Sequence, residues 1–240
     1  MDGKVLGVIG GLGPLATAHF LELTTRMTDA REEQQNLDMI VYNFPSIPDR
    51  TGYILGSNLK SPLPGLLWAG RNLARQGVDC IAIPCVTAHF FYEELLDAVR
   101  IPIIHGVRET ARYLKAQAIT SAGILATDGT VLSGLFSRAL SDVQIRTVIP
   151  SKQRQADVMA LIYEDIKKGK QPDMEKFRAV SEELRENGAQ VLILGCTELS
   201  LIKRDFAIGP GYLDAMEVLA RESLLRCGKP IKQQYQNLIT

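Results

Sequence analysis

Two cysteines of this chain, Cys85 and Cys196, stand in the same local sequence context. Each comes two residues after an apolar run and is followed within two residues by a threonine, in segments 81–87 and 192–198. Short apolar runs of this kind are typical of buried strands in parallel sheets. Because parallel sheets bind ligands beyond the carboxyl ends of their strands, we expect both thiols at a ligand-binding edge.

Two thiols that face one small ligand suit proton exchange at a stereocentre. One thiolate removes the Cα proton from one face, and the other thiol delivers a proton to the opposite face. A helix that begins beside a cysteine stabilises the thiolate and brings its pKa towards the working pH, where acid–base catalysis is efficient. The pattern therefore predicts racemisation by Cys85 and Cys196, whereas we interpret Cys80 and Cys227 as packing residues.

The elements that must position these thiols alternate between strand and helix, which predicts an α/β fold with parallel sheets. The turn after the first apolar strand, near residue 10, has a counterpart near residue 126. Two similar α/β halves explain both the repeated cysteine context and the repeated turn. The predicted strands cover residues 4–9, 38–43, 78–83, 102–105, 123–126 and 191–194. The predicted helices cover residues 14–27, segments after 62 and after 85, 155–168, 174–187 and 214–226.

Composition narrows the possible partners and locations. The 240 residues include 27 Lys and Arg against 27 Asp and Glu, so the formal net charge is zero, which argues against a nucleic-acid partner. No apolar run is long enough for a membrane span. Four cysteines are too few for a disulfide scaffold, so we expect a reducing compartment, namely the cytoplasm.

Four segments together resemble the aspartate/glutamate racemase family, namely residues 10–17, 47–51, 84–89 and 195–199. The resemblance implies two pseudo-symmetric Rossmann-like domains with parallel sheets and an active site in the cleft between them. It implies racemisation of aspartate or glutamate without any cofactor, by a pair of cysteines, in a homodimer that binds a small amino-acid substrate. The family pattern also implies one domain formed by residues 1–100 and about 211–240, and a second formed by 101–210.

The resemblance assigns roles position by position. Cys85 and Cys196 match the acid/base pair, and Arg50 matches an arginine that binds the side-chain carboxylate of the substrate. Lys167 matches a second cationic contact. Glu198 is expected to bind the ammonium group or to act as a hydrogen-bond acceptor behind the substrate. Contacts to the substrate's α-carboxylate or amine are expected from three threonines, Thr87, Thr127 and Thr197.

Two positions depart from the family pattern. Val86 stands where an asparagine is usual, and Asp128 stands where a threonine is usual. Loss of a hydrogen bond to a charged ligand group costs about 1.5–3 kcal/mol, and an extra carboxylate repels a dicarboxylate unless it points away. Val86 is therefore counted among the substrate-contacting positions, and the identity of the amino acid stays open.

Other functions remain as alternatives. Residues 11–16 have the form of a dinucleotide fingerprint, but the second strand ends without the acidic residue that binds a ribose. His89 follows Cys85 by four residues, yet no second metal-binding motif accompanies it, so we expect no metal. A cysteine-dependent isomerase or decarboxylase of the same superfamily with another substrate, and a weakly active binding paralogue, remain open.

Overall fold

Strands and helices alternate along the computed structural model, which describes residues 3–240, so residues 1 and 2 of the first predicted domain lie outside the described residues. The strands are β1 Val5–Gly10, β2 Asp38–Asn43, β3 Cys80–Ala82, β4 Ser121–Leu125, β5 Arg146–Val148, β6 Val191–Leu194 and β7 Tyr212–Asp214. The helices are α1 Pro14–Met27, α2 Arg50–Ile54, α3 Leu63–Arg75, α4 Tyr92–Val99, α5 Gly106–Ala116, α6 Asp128–Leu132, α7 Leu135–Asp142, α8 Lys152–Ala160, α9 Met174–Glu186, α10 Thr197–Asp205 and α11 Ala215–Arg226.

The strands form two parallel sheets, with orders β2-β1-β3 and β5-β4-β6-β7. In each sheet the first strand of the half lies between the second and the third, so the arrangement of β1, β2 and β3 is repeated by β4, β5 and β6. The central strands are apolar and buried because helices cover parallel sheets on both faces. The predicted α/β class with parallel sheets is confirmed.

Some predicted elements differ from the observed ones. Residues 102–105 form only one bridge, between Ile103 and Ile81, because Pro102 has no N–H to donate and the chain enters α5 at Gly106. The helix expected over 155–168 divides into α8, a π-helical segment Leu161–Asp165 and a 3₁₀ turn Ile166–Lys168. Helix α5 and strands β5 and β7 were not predicted.

One hydrophobic core connects the two sheets. Side chains of β1, such as Leu6 and Val8, belong to the same buried cluster as Ile124 of β4 and Leu219 of α11. Helix α11 packs against both α1 and α5, whereas β7 pairs with β6 in the second sheet. The division into domains near residues 100 and 210 stays a prediction, and residues 212–214 belong to the second sheet.

No helix within residues 3–240 is both long enough and apolar enough to cross a membrane.

Candidate active site

The two cysteines occupy equivalent places in the two sheets. Cys85 lies just beyond β3 and precedes a 3₁₀ helix, Val86–Phe91, whereas Cys196 lies just beyond β6 and precedes α10. Both have extended backbone conformations and buried side chains, with 5% and 9% of their surface exposed. Each strand therefore delivers its thiol to the amino-terminal end of a helix, where the helix dipole favours negative charge.

One cavity is lined by both cysteines together with the other seven residues predicted for the site, and its volume is only about 10 Å³. This is about the space of one water molecule, so the cavity must widen to admit an amino acid. The nine predicted residues on its wall are Arg50, Cys85, Val86, Thr87, Thr127, Lys167, Cys196, Thr197 and Glu198. The sequence reasoning missed six further lining residues, Leu12, Asp49, Thr51, Thr130, Tyr163 and Gly195. Four of them lie within the segments that resemble the family, whereas Thr130 follows Thr127 by three residues and Tyr163 precedes Lys167 by four.

Cys196 has an acidic neighbour. Its Sγ–H donates a hydrogen bond of 2.9 Å to Oε2 of Glu198, whose side chain is also buried. Burial raises the pKa of Cys196 well above its ordinary value, and the charge of Glu198 raises this pKa further, while Lys167 acts in the opposite direction. In the structure, Cys196 is therefore a thiol.

Arg50 is 7% exposed, and backbone carbonyl groups fix its guanidinium group. Nη2 donates to the carbonyl oxygen of Leu12 at 2.6 Å, and Nη1 donates to that of Pro48 at 3.1 Å. Nε is buried without a hydrogen-bond partner. Burial alone would lower the pKa of Arg50, but the neighbouring Cys85, Asp49 and Glu198 hold this pKa above its ordinary value.

Lys167 lies beside the aromatic ring of Tyr163 and the carboxylate of Asp49. Its Nζ is 3.8 Å from the ring centroid of Tyr163 and 3.6 Å from Oδ1 of Asp49, and the Tyr163 hydroxyl donates to the same Asp49 oxygen at 3.2 Å. Burial alone would lower the pKa of Lys167, but Glu198, Cys196, Tyr163 and Asp49 raise it. Lys167 is therefore a firmly charged cation.

Threonine hydroxyls line the rest of the cavity and connect the two halves. Thr51 Oγ1 donates to Thr127 Oγ1 at 3.1 Å, a hydrogen bond between helix α2 of the first half and the N-cap residue of α6. Thr87 Oγ1 is 3.4 Å from Sγ of Cys85, and Thr197 Oγ1 donates to Glu198 at 3.4 Å. Hydroxyl groups can both donate and accept, so they can contact either an ammonium or a carboxylate group.

The two departures from the family pattern have different consequences. Asp128 does not line the cysteine cavity, and its Oδ1 accepts a hydrogen bond of 2.7 Å from Gln155. Its carboxylate therefore points away from the site. Val86 does line the cavity, so it places an apolar side chain where an amide was expected.

His89 supports the backbone next to the first thiol. Its Nδ1 lies 3.1 Å from the carbonyl oxygen of Cys85, and its Nε2 accepts a hydrogen bond of 3.0 Å from the Gly106 N–H. Burial lowers the pKa of His89, so the ring is neutral and Nδ1–H is the donor to Cys85. Within residues 3–240 no cluster of three or more His, Cys, Asp or Glu residues is arranged to hold a metal ion.

The chain is similar in sequence and in structure to known proteins. The sequence profile of the Asp/Glu/hydantoin racemase family matches residues 9–223. The aspartate racemase of Picrophilus torridus is 32% identical, superimposes with a TM-score of 0.84, and is covered over 98% of both chains. A broad specificity amino-acid racemase of Bacillus subtilis is 25% identical over 92% of this chain and 96% of its own length.

A more distant structure shares the fold. Glutamate racemase of Francisella tularensis, in complex with D-glutamate, is 19% identical and has a TM-score of 0.66 over 94% of this chain and 82% of its own. At this level of identity the similarity shows the architecture alone.

Proposed function

The chain belongs to the Asp/Glu/hydantoin racemase family and is an amino-acid racemase, and we propose that it inverts an acidic amino acid, aspartate or glutamate, with Cys85 and Cys196 as the two acid/base residues. The observation that carries this proposal is the cavity whose wall includes both thiols, each presented at the end of an equivalent strand. No cofactor is needed for the proposed reaction.

The proposed reaction is a transfer of two protons. The cysteine on one side of the substrate, as thiolate, takes the Cα proton, and the electron pair of the broken C–H bond moves into the α-carboxylate. The opposite thiol then gives its S–H proton to Cα and becomes a thiolate. Because Sγ–H of Cys196 donates to Glu198 and the pKa of this thiol is raised, we assign Cys196 as proton donor and Cys85 as base for one enantiomer, with the roles exchanged for the other.

The remaining residues orient the substrate in this proposal. The buried Nε–H of Arg50 and the ammonium group of Lys167 bind the side-chain carboxylate, which stops the side chain at the edge of the cavity. Thr87, Thr127 and Thr197 contact the α-carboxylate and amine, and Glu198 accepts from the substrate ammonium as well as from Cys196. A homodimer in the cytoplasm remains the sequence-based prediction for the whole protein.

A wider substrate range is the second candidate. The Bacillus subtilis relative is described as a broad specificity amino-acid racemase. Val86, in place of a polar amide, removes one group that would select a charged side chain. Both observations favour an enzyme that also acts on other amino acids.

Hydrogen exchange in D₂O tests the proposal. With purified protein and no added pyridoxal phosphate or metal, we expect deuterium at Cα of both enantiomers of aspartate or glutamate, with loss of optical activity. Cys85→Ala and Cys196→Ala should each lower racemisation by roughly 10²–10⁴-fold, because each removes one acid/base residue. Full racemisation in either variant would contradict the two-cysteine mechanism.

The chain offers a matched control for these substitutions. Cys80 and Cys227 are also buried, but their sulfur atoms lie 3.7 Å from each other and neither lines the cysteine cavity. Cys227→Ala should therefore retain racemase activity. Release of CO₂ instead of deuterium incorporation would identify the decarboxylase alternative, and binding without exchange would identify a binding protein.

A further inference from the structure

A second cavity adjoins the cysteine cavity. Its volume is about 460 Å³, within the range of small-molecule sites, and it shares five residues with the cysteine cavity: Leu12, Asp49, Arg50, Lys167 and Glu198. The rest of its wall carries no polar side chain, and its larger members are Leu15, Pro45, Ile47, Ile166 and Leu201. We refer to the part of this cavity that is bounded by Leu15, Pro45, Ile47, Ile166 and Leu201 as the apolar annex.

The charged residues all lie at the junction between the cysteine cavity and the apolar annex. Asp49 and Glu198 carry two negative charges, and Arg50 and Lys167 carry two positive charges, so the formal charge of the junction is zero. A dicarboxylic amino acid brings a net negative charge, whereas an amino acid with an uncharged side chain is a zwitterion without net charge. The junction therefore has no excess positive charge that would favour a substrate with a charged side chain over one with an uncharged side chain.

The cations of the junction already have partners. Lys167 is close to Asp49, and both terminal nitrogens of Arg50 donate to backbone carbonyl groups. A second substrate carboxylate must compete with Asp49 for Lys167. An apolar side chain avoids this competition, because it passes the junction and leaves water for the apolar wall of the annex, a transfer that is favourable in proportion to the apolar area buried.

We propose that the apolar annex binds the side chain of an amino acid such as leucine or methionine, so that the enzyme racemises long apolar amino acids as well as acidic ones. This inference rests on the proposed function, because it uses the same two thiols and extends only the side-chain site. Each methylene in an apolar pocket changes kcat/KM by roughly 10- to 200-fold. We therefore expect leucine and methionine to exchange Cα hydrogen at least about tenfold more efficiently than alanine.

The experiment measures kcat/KM for deuterium exchange with alanine, leucine, methionine and aspartate. Leu15 is 61% exposed on the first turn of α1, so Leu15→Trp should not disturb the core but should fill the annex. The ratio of leucine to aspartate activity should fall at least about tenfold. Leu59→Trp is the matched control, because Leu59 is 90% exposed and lines neither cavity, and it should leave the ratio unchanged.

A second variant tests the charge balance. Asp49 Oδ2 accepts the Gly52 N–H at the start of α2, and an asparagine oxygen can keep that bond, so Asp49→Asn changes the charge of the junction without removing the cap. The aspartate to leucine ratio should then rise. A ratio that stays constant or falls would overturn the argument from charge.

The outcomes separate the two proposals. Exchange with aspartate, but no faster exchange with leucine or methionine than with alanine, would overturn only the side-chain inference. An unchanged leucine to aspartate ratio in Leu15→Trp would do the same. Absence of exchange with every amino acid would overturn the proposed function and this inference together.

Discussion

The hydrogen bond between Cys196 and Glu198 makes the two thiols unequal. Glu198 accepts a hydrogen bond from the Cys196 thiol at 2.9 Å, whereas Sγ of Cys85 lies 3.4 Å from the hydroxyl of Thr87. A carboxylate beside a thiol opposes a second negative charge, so Glu198 keeps Cys196 protonated, and Lys167 partly offsets this effect. We infer that these two residues set the pH range in which the exchange works.

Glu198→Gln tests whether Glu198 controls the pKa of Cys196. Removing the negative charge should lower the pKa of Cys196, because burial remains but the repulsion is lost. For the enantiomer from which Cys196 removes the proton, kcat/KM rises with pH through this pKa, because the thiolate is the base. For the other enantiomer, to which Cys196 donates a proton, kcat/KM falls with pH through the same pKa. These are the two limbs of the pH profile. Both limbs should therefore move to lower pH. The measurement is kcat/KM against pH for each enantiomer.

An exposed acid provides the control. Glu94 lies on the surface of α4 and does not line the cysteine cavity, so Glu94→Gln should leave the pH profile unchanged. A profile of Glu198→Gln that matches the wild type, or one that moves to higher pH, would show that Glu198 does not control Cys196.

At the scale of elements, helix ends and an irregular helix position the site. The π-helical segment Leu161–Asp165 carries Tyr163, and the turn after it carries Lys167, so both side chains reach Asp49 at the start of α2. Such segments within helices often occur at functional sites. His105 is the N-cap residue of helix α5, its Nδ1 accepts the Arg108 N–H, and this helix packs against both α7 and α11.

His105 gives the stability of this helix a pH dependence. Burial, the neighbouring His89 and the charge of Arg108 lower the pKa of His105 to about 3, against about 6.5 in an unfolded chain. Between these values the unfolded state binds more protons, so the free energy of unfolding falls as the pH drops below 6.5. By linkage, His105 contributes a loss of about 2 kcal/mol between pH 7 and pH 5.

His105→Asn should remove this dependence and keep the helix cap, because an asparagine oxygen also accepts the Arg108 N–H. Urea unfolding of both proteins at pH 7 and pH 5 gives the comparison. We expect a smaller loss of stability in the variant over this interval. If both proteins lose the same free energy of unfolding, His105 is not protonated on unfolding as described.

At the scale of the whole molecule, the two sheets share one hydrophobic core. Apolar side chains of β1, β4, α5, α7 and α11 belong to one buried cluster, and the cysteine cavity needs residues from both halves. A core substitution in one half should therefore also lower the stability of the other half. The single tryptophan, Trp68 on α3, reports on the first half, whereas Phe136 on α7 is buried in the second.

Phe136→Leu tests whether the halves unfold together. The smaller side chain leaves space in the core and should lower the free energy of unfolding by about 1 kcal/mol. The transition seen by Trp68 fluorescence should move with the transition seen by far-ultraviolet circular dichroism, as two-state unfolding requires. A Trp68 transition that stays in place while circular dichroism shifts would mean that the halves unfold independently.

Much of this architecture could be predicted from the sequence because it depends on short-range patterns. Apolar runs marked the central strands, and a repeated strand-to-cysteine context placed Cys85 and Cys196 at equivalent sheet edges. Pro14 after a glycine turn marked the start of α1, which runs to Met27 as predicted. Strand β5 was missed because three residues are too few to show an alternating pattern, whereas helix α5 was missed although its apolar residues Val107, Ala111 and Leu114 recur at helical spacing.

The tertiary structure alone decided where the charged side chains point. From the sequence, Asp128 was expected to repel an acidic substrate, yet its carboxylate accepts a hydrogen bond from Gln155. Likewise, the sequence did not distinguish Lys167 from the adjacent Lys168. The pairing of Lys167 with Asp49, the Cys196–Glu198 bond and the apolar annex arise between elements far apart in the chain. The sequence by itself determined which groups can do the chemistry, because residue type and strand position are local properties. Only folding decided their partners and protonation, because charge interactions and burial depend on distances in space.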